Sequence, residues 1–195
     1  DGNRFGEMLK QLSESLRGKS AKEQLNAYEE FSELLKETTR DALIEAVLEV
    51  LGDDLRGSQG EKLVPLRVLM LGGDDVMLVV QAQYALRLAN LFCQKFQELA
   101  VERKKRKPTL KDIQLPAFTM SAGVVIAHHN IPFLSLHRMA SELLKSAKRR
   151  SWAAWKDGIE AGSVDFQVVT GSNIEDLKTV RSEIYTVYDL SLIHI

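Results

Sequence analysis

Two adjacent aspartates, Asp74 and Asp75, stand between two apolar runs, Leu66–Leu71 and Val76–Val80, and follow Gly72-Gly73. Neighbouring carboxylates repel each other, and a bound divalent cation relieves that repulsion. Gly72 and Gly73 admit positive φ and leave the backbone bare, so the chain can reverse there and a phosphate can approach it closely. The chemistry to which this combination points is metal-assisted transfer of a phosphoryl or nucleotidyl group. A third carboxylate, Asp1, precedes Gly2-Asn3, a stretch that reads as a strand end turning into a helix.

Elements must hold these residues in place. The runs flanking the glycines are apolar at nearly every position, the pattern of central strands covered on both faces, so the spacing predicts a hairpin over about Leu63–Val80 with the acids at its tip. Ahead of it, the periodicity gives a helix carrying Met8, Leu9, Leu12 and Leu16. A second helix begins at Ser20, where Glu23 completes a capping box, and runs to about Leu51 with Leu25, Tyr28, Leu35, Leu43 and Val47 at helical spacing. Its charged outer face suits a helix packed on a sheet. Gly52–Gly60 reads as a loop, with Asp53 and Asp54 solvated in it. Gln81–Lys107 is a further helix ending in Arg103-Lys104-Lys105-Arg106-Lys107, a run that complements a helix C-terminus or contacts RNA phosphates. Ala117–Ala127 is expected as a buried strand. His128 and His129 follow it and point to opposite faces, a poor joint metal site. Pro132 opens a helix closing at Arg149 and Arg150, and Trp152 and Trp155 fall in the segment after it. Val164–Thr170 alternates as a strand, and Ser172 caps a helix over about Ile174–Tyr185.

The order is that of an α/β (α+β) chain. With a strand expected just before Asp1, strand–helix–hairpin–helix–strand forms a ferredoxin-like palm, with a mainly antiparallel sheet packed against helices. In such a palm Asp1 meets Asp74 and Asp75 at one sheet edge, which suits two Mg²⁺ or Mn²⁺ ions about 3.5–4 Å apart.

Bulk properties narrow the field. At 195 residues and 45% hydrophobic content the chain supports one domain of ordinary size; residues 1–195 are read as a single palm, a fragment of a larger protein lacking its first strand. A net charge of −1 confines any nucleic-acid surface to a local patch. The single cysteine, Cys93, rules out a disulfide framework and a cysteine-based zinc site, which fits a reducing, cytoplasmic setting. No apolar run approaches membrane-spanning length.

Taken together, the segments resemble a known family. Gly72-Gly73-Asp74-Asp75 resembles the motif of the large polymerase–cyclase subunit of type III CRISPR effector complexes, the Cas-ten family, in its Cmr-like form. Asp1-Gly2-Asn3-Arg4-Phe5-Gly6 is similar to that family's Asp-x-Asp-x-x-Gly segment. Ser121–His128, Ala140–Lys148 and Val168–Ser172 are similar to the strand, helix and closing strand that follow. The resemblance implies a palm that converts ATP to cyclic oligoadenylate when its complex binds target RNA. It implies metal binding by Asp1, Asp74 and Asp75, with Asp74 and Asp75 catalytic, and a nucleotide site walled by Gly72 and Gly73. Lys148 would reach triphosphate oxygens and Ser121 would face the base. Asn3 stands where the family often has a second acid; its amide oxygen can still coordinate a hard cation. Implied partners are the other subunits of the complex, guide and target RNA indirectly, and a second palm, because linking two nucleotides takes two sites. Two alternatives stay open: a diguanylate-cyclase-like enzyme, disfavoured by Asp75-Val76 where that family has Glu-Phe, and a non-catalytic scaffold palm.

Overall fold

The computed structural model describes residues 1–56 and 65–170. The expected helix at Ile174–Tyr185 with its cap Ser172, the loop residues 57–60 and the first residues of the hairpin lie outside them. Four helices and four strands follow in the order α1 (Phe5–Ser15), α2 (Ala21–Arg56), β1 (Leu66–Gly72), β2 (Asp75–Val80), α3 (Ala82–Arg106), β3 (Ala122–Ala127), α4 (Phe133–Lys156) and β4 (Val164–Val169). This is an α/β palm with the hairpin carrying Gly72–Asp75 at its tip.

α1 buries Phe5, Met8 and Leu12, which join Phe31, Phe96 and Phe118 in one core; Phe5 touches all three of those rings at centroid distances of 6.1 to 6.5 Å. The capping box forms: the Ser20 main-chain N–H donates to Glu23 Oε2 at 2.9 Å and the Glu23 N–H donates to Ser20 Oγ at 3.3 Å. The helix it starts runs on to Arg56, past the expected loop at Gly52, because one glycine inside an otherwise good helical segment costs only about 1 kcal/mol.

α2 lies chiefly against α3 rather than against a sheet. Its acids meet the bases of α3: Arg103 reaches Asp41 at 2.5 Å and Glu37 at 3.9 Å, Lys95 reaches Glu49 at 3.6 Å, and Lys107 reaches Glu33 at 2.9 Å. The charged face of α2 thus pairs with two of the five bases in the run at the end of α3, Arg103 and Lys107, while Arg106 pairs with Glu102 of its own helix. The Asp41 carboxyl is held below the usual carboxylate range by hydrogen bonds from Arg40 and then Arg103.

The strands form two pairs. β1 and β2 are antiparallel, Gly72 facing Asp75, with a bulge between Val68 and Met70. β3 and β4 are parallel, joined through α4. Among the described residues the two pairs share no ladder. The expectation that the hairpin strands are covered on both faces does not hold: Val68, Leu69, Met70 and Leu71 are each 42–44% exposed. Of the described hairpin residues, only Leu66 and the β2 residues Val76, Leu78 and Val80 lean on the main core. A run without alternation looks doubly buried in sequence, yet a two-stranded ribbon seated on one side exposes part of every residue.

Downstream, Ala117–Met120 precede β3 instead of lying in it. α4 continues past Arg150 through both tryptophans, since no breaker intervenes before Gly158, where φ is +82°. Its face of Met139, Leu143, Ala147 and Ser151 packs on β3 and β4. Gly123 makes that packing close: a Cβ there would collide with Ala140 O and lie 2.5 Å from Leu144 N.

Candidate active site

The first arm of the site is the extended segment Asp1–Asn3. It lies antiparallel to Thr119–Ser121 through a bridge between Gly2 and Met120. The Asp1 nitrogen donates to Ser121 O and the Ser121 N–H donates to Asp1 O, both at 3.0 Å, and the Asn3 N–H donates to Thr119 O at 2.9 Å. Side chains lock the same register. Asn3 Nδ2 donates to Thr119 Oγ1 and Ser121 Oγ donates to Asn3 Oδ1, each at 3.0 Å and buried. The Ser163 N–H donates to Ser121 Oγ at 3.3 Å, which ties in the entrance to β4.

Arg4 then takes φ +61°, left-handed for a non-glycine residue, and turns the chain into α1. Its guanidinium sits 3.6 Å above the Trp155 ring and forms an ion pair with Glu7 at 2.7 Å. Such a cation–π contact helps to offset the roughly 1–3 kcal/mol of a sparsely populated backbone conformation. Trp155 thus fixes the turn that follows Asp1, a link across some 150 residues of sequence that spacing could not suggest.

Lys148 comes from the opposite side, on α4. Its Nζ is 2.6 Å from Asp1 Oδ1, both side chains about one-third exposed. Burial lowers the lysine's proton affinity, and the negative charges of Asp74 and Asp75, close enough to act on it, partly restore it. The hairpin tip supplies those charges. Gly73 at φ +61° in a two-residue loop between Gly72 and Asp75 fits a type II′ turn, leaving Asp74 half-buried and Asp75 exposed.

The structure therefore brings Asp1, Lys148, Asp74 and Asp75 into one electrostatic neighbourhood, with Gly72 and Gly73 on its hairpin side. Ser121 adjoins it but is 1% exposed, its hydroxyl spent on Asn3. Asn3 likewise turns both amide atoms inward. Among the described residues no three His, Cys, Asp or Glu side chains are grouped closely enough to hold a metal ion. The donors at the site are hard carboxylate oxygens, which suit Mg²⁺ or Mn²⁺, and the Asp1 carboxylate is already engaged by a cation, the Lys148 ammonium. Cys93 lies near Asp1, buried, its thiol pushed up to about 11 by burial, and is no thiolate ligand at neutral pH.

A hairpin with a Gly-Gly-Asp-Asp tip whose charges act on a lysine paired with an aspartate, in an α/β fold, defines a nucleotidyltransferase-like palm. The Cas10/Cmr2 second palm domain matches residues 1–158, and the chain belongs to that family, whose members work in type III CRISPR effector complexes alongside other subunits. No curated protein and no solved structure matches the chain. No helix among the described residues is long and apolar enough to cross a membrane.

Proposed function

We propose that the chain is the nucleotide-binding palm of such a complex and makes cyclic oligoadenylate from ATP. The observation that carries this reading is the meeting of Asp1 and Lys148 with the charges of Asp74 and Asp75. Negative charges that act on one another oppose folding unless cations balance them. Lys148, paired with Asp1, is a single positive charge set against those of Asp1, Asp74 and Asp75, which leaves an excess for a divalent ion to neutralise.

Asp1, Asp74 and Asp75 would hold Mg²⁺ or Mn²⁺ together with water and triphosphate oxygens, since magnesium is usually held by one or two carboxylates rather than a closed protein cage. Such an ion supplies neutralisation of charge on the α-phosphate as a 3′-hydroxyl attacks and pyrophosphate leaves. The exposed backbone of Gly72 and Gly73 forms the wall along which a triphosphate lies. Lys148, a compact ammonium on a flexible stem, exchanges the Asp1 carboxylate for phosphate oxygens when nucleotide enters. Ser121 acts through the main chain, fixing Asp1 by two hydrogen bonds, rather than by touching a base. Among the described residues no side chain at the site is placed as a general base, so the acceleration rests on positioning and charge. Joining two nucleotides takes a second palm, which the complex provides.

The test is the assembled complex with target RNA, Mn²⁺ and labelled ATP. Asp74→Asn with Asp75→Asn should lower product formation on the order of a thousandfold, several kcal/mol of lost charge stabilisation, with assembly unchanged. Turnover at the parent rate in that variant overturns the reading and leaves a scaffold palm. The scaffold has one observation in its favour, the lack of a closed acidic triad among the described residues.

A further inference from the structure

The two long basic helices end differently. At the end of α3, Arg103 and Lys107 pair with acids of α2, and Arg106 pairs with Glu102. α4 carries Arg138, Lys145, Lys148, Arg149, Arg150 and Lys156 against a single acid, Glu142, in a chain whose net charge is only −1. Lys148 is taken by Asp1. Arg138, Lys145, Arg149, Arg150 and Lys156 are all exposed and form no ion pair with another described residue.

Their arrangement is periodic. Arg138, Lys145, Arg149, Trp152 and Lys156 follow one another at steps of seven, four, three and four residues, the spacing of one helical face. Met139, Leu143, Ala147 and Ser151, buried on the sheet, occupy the opposite face. The basic stripe therefore points away from the domain, over a length of roughly 27 Å at 1.5 Å per residue. Trp152 interrupts it, 39% exposed although a neighbouring indole is within reach. Its ring lies 4.9 Å from that of Trp155, with the Arg4 guanidinium and the Lys156 ammonium each 5.6 Å from its centroid. A partly exposed indole set among cations is the pairing by which single strands are bound: phosphates meet the charges and a base stacks on the ring. An acidic protein surface would meet the charges and bury the indole as apolar area, and the experiment below separates that occupant from a stacked base.

We propose that the outer face of α4 binds single-stranded nucleic acid through the phosphates, at Arg138, Lys145, Arg149 and Lys156, with one base stacked on Trp152. This surface is separate from the carboxylate site and does not depend on the palm being catalytic. Its composition gives no sequence preference, because phosphate contacts and stacking are both tolerant of base identity.

Fluorescence anisotropy of the full chain with labelled oligouridylate, titrated at about 50 and 200 mM salt, tests it. Binding should weaken steeply with salt. Lys145→Ala with Arg149→Ala and Lys156→Ala should reduce affinity roughly tenfold or more and lower the slope of log K against log salt by about two, near 0.7 for each lost contact. Trp152→Ala should cost about 5–100-fold and Trp152→Phe much less, as expected of a stacked base. These side chains are exposed, so circular dichroism should match the parent. Lys105→Ala with Arg106→Ala, on α3, should leave affinity within about twofold, the level of a lost surface charge away from the contact. No binding at the lower salt overturns the proposal. Parent-like binding by the triple variant overturns it too. Poly-glutamate bound as tightly as oligouridylate, with Trp152→Ala silent, assigns the face to an acidic protein instead and overturns it equally.

Discussion

The two arms of the site are built in contrasting ways. Asp1 sits on a segment tied down by three main-chain hydrogen bonds and a buried triad of Asn3, Thr119 and Ser121. Asp74 and Asp75 sit at the end of a two-stranded ribbon whose outer strand is exposed along its length. A lone hairpin is marginal in water, and its tip opens more easily than a core strand. The difference teaches that one carboxylate is held rigidly while the other two sit on the element best able to adjust to a ligand. Substitutions in the anchored arm should therefore cost stability, and substitutions at the tip should cost chemistry alone.

The largest effect is expected at Gly123, where α4 rests on β3 with no room for a side chain. Gly123→Val would push the helix off the sheet and carry Lys148 away from Asp1. A loss of about 3 kcal/mol or more, at the upper end of overpacking costs, is expected in urea unfolding. Retained stability would mean that α4 is not seated as closely as the geometry requires, and the anchored arm would lose its distinction.

Asn3 gives the next test. Asn3→Ala leaves the hydroxyls of Thr119 and Ser121 buried without their shared partner, at about 1–3 kcal/mol. Cys93 reports the same event chemically. Its thiol, at about 11 in the folded chain, is inert toward disulfide reagents near pH 8 until the region opens. Asn3→Ala should speed its labelling by the factor its lost stability corresponds to, roughly 5–150-fold for about 1–3 kcal/mol, while Asp74→Asn should not change it. Equal labelling rates in the two variants would erase the contrast between the arms.

How much of this was legible beforehand follows the range of the interactions. The capping box at Ser20, the turn at Gly73 and the buried stripe of α1 are local, and periodicity exposes them. The hairpin's exposure was misread because apolar runs report composition, not what covers them. The charged face of α2 names no partner in sequence; part of that partner is Arg103 of α3, more than sixty residues on. At the site, residue types identified the acids and the lysine. The inward turn of Asn3 and Ser121, and the clamp of Trp155 on Arg4, depend on contacts between segments over a hundred residues apart, and neither leaves a mark at fixed spacing.

The smallest effect, and the finest division between structure and chemistry, concerns Lys148. Its ion pair with Asp1 is about one-third exposed on each side, and pairs of that kind contribute about 0–1 kcal/mol. Burial lowers the lysine's proton affinity by more than Asp74 and Asp75 raise it. The folded chain thus binds this proton less tightly than the unfolded chain does. The resulting penalty is present in full below the folded pKa. It is relieved as pH rises from there toward the ordinary lysine value near 10.4. Lys148→Met removes the penalty and the ion pair together, so stability at pH 7 should change by less than about 1 kcal/mol. The parent should gain slightly on the variant as pH rises through the lowered folded pKa toward the ordinary lysine value. In the assembled complex the same substitution should raise KM for ATP, because an ammonium that contributes little to folding is free to be spent on phosphate. A variant several kcal/mol less stable, with KM unchanged, would make Lys148 part of the anchor and not of the nucleotide site.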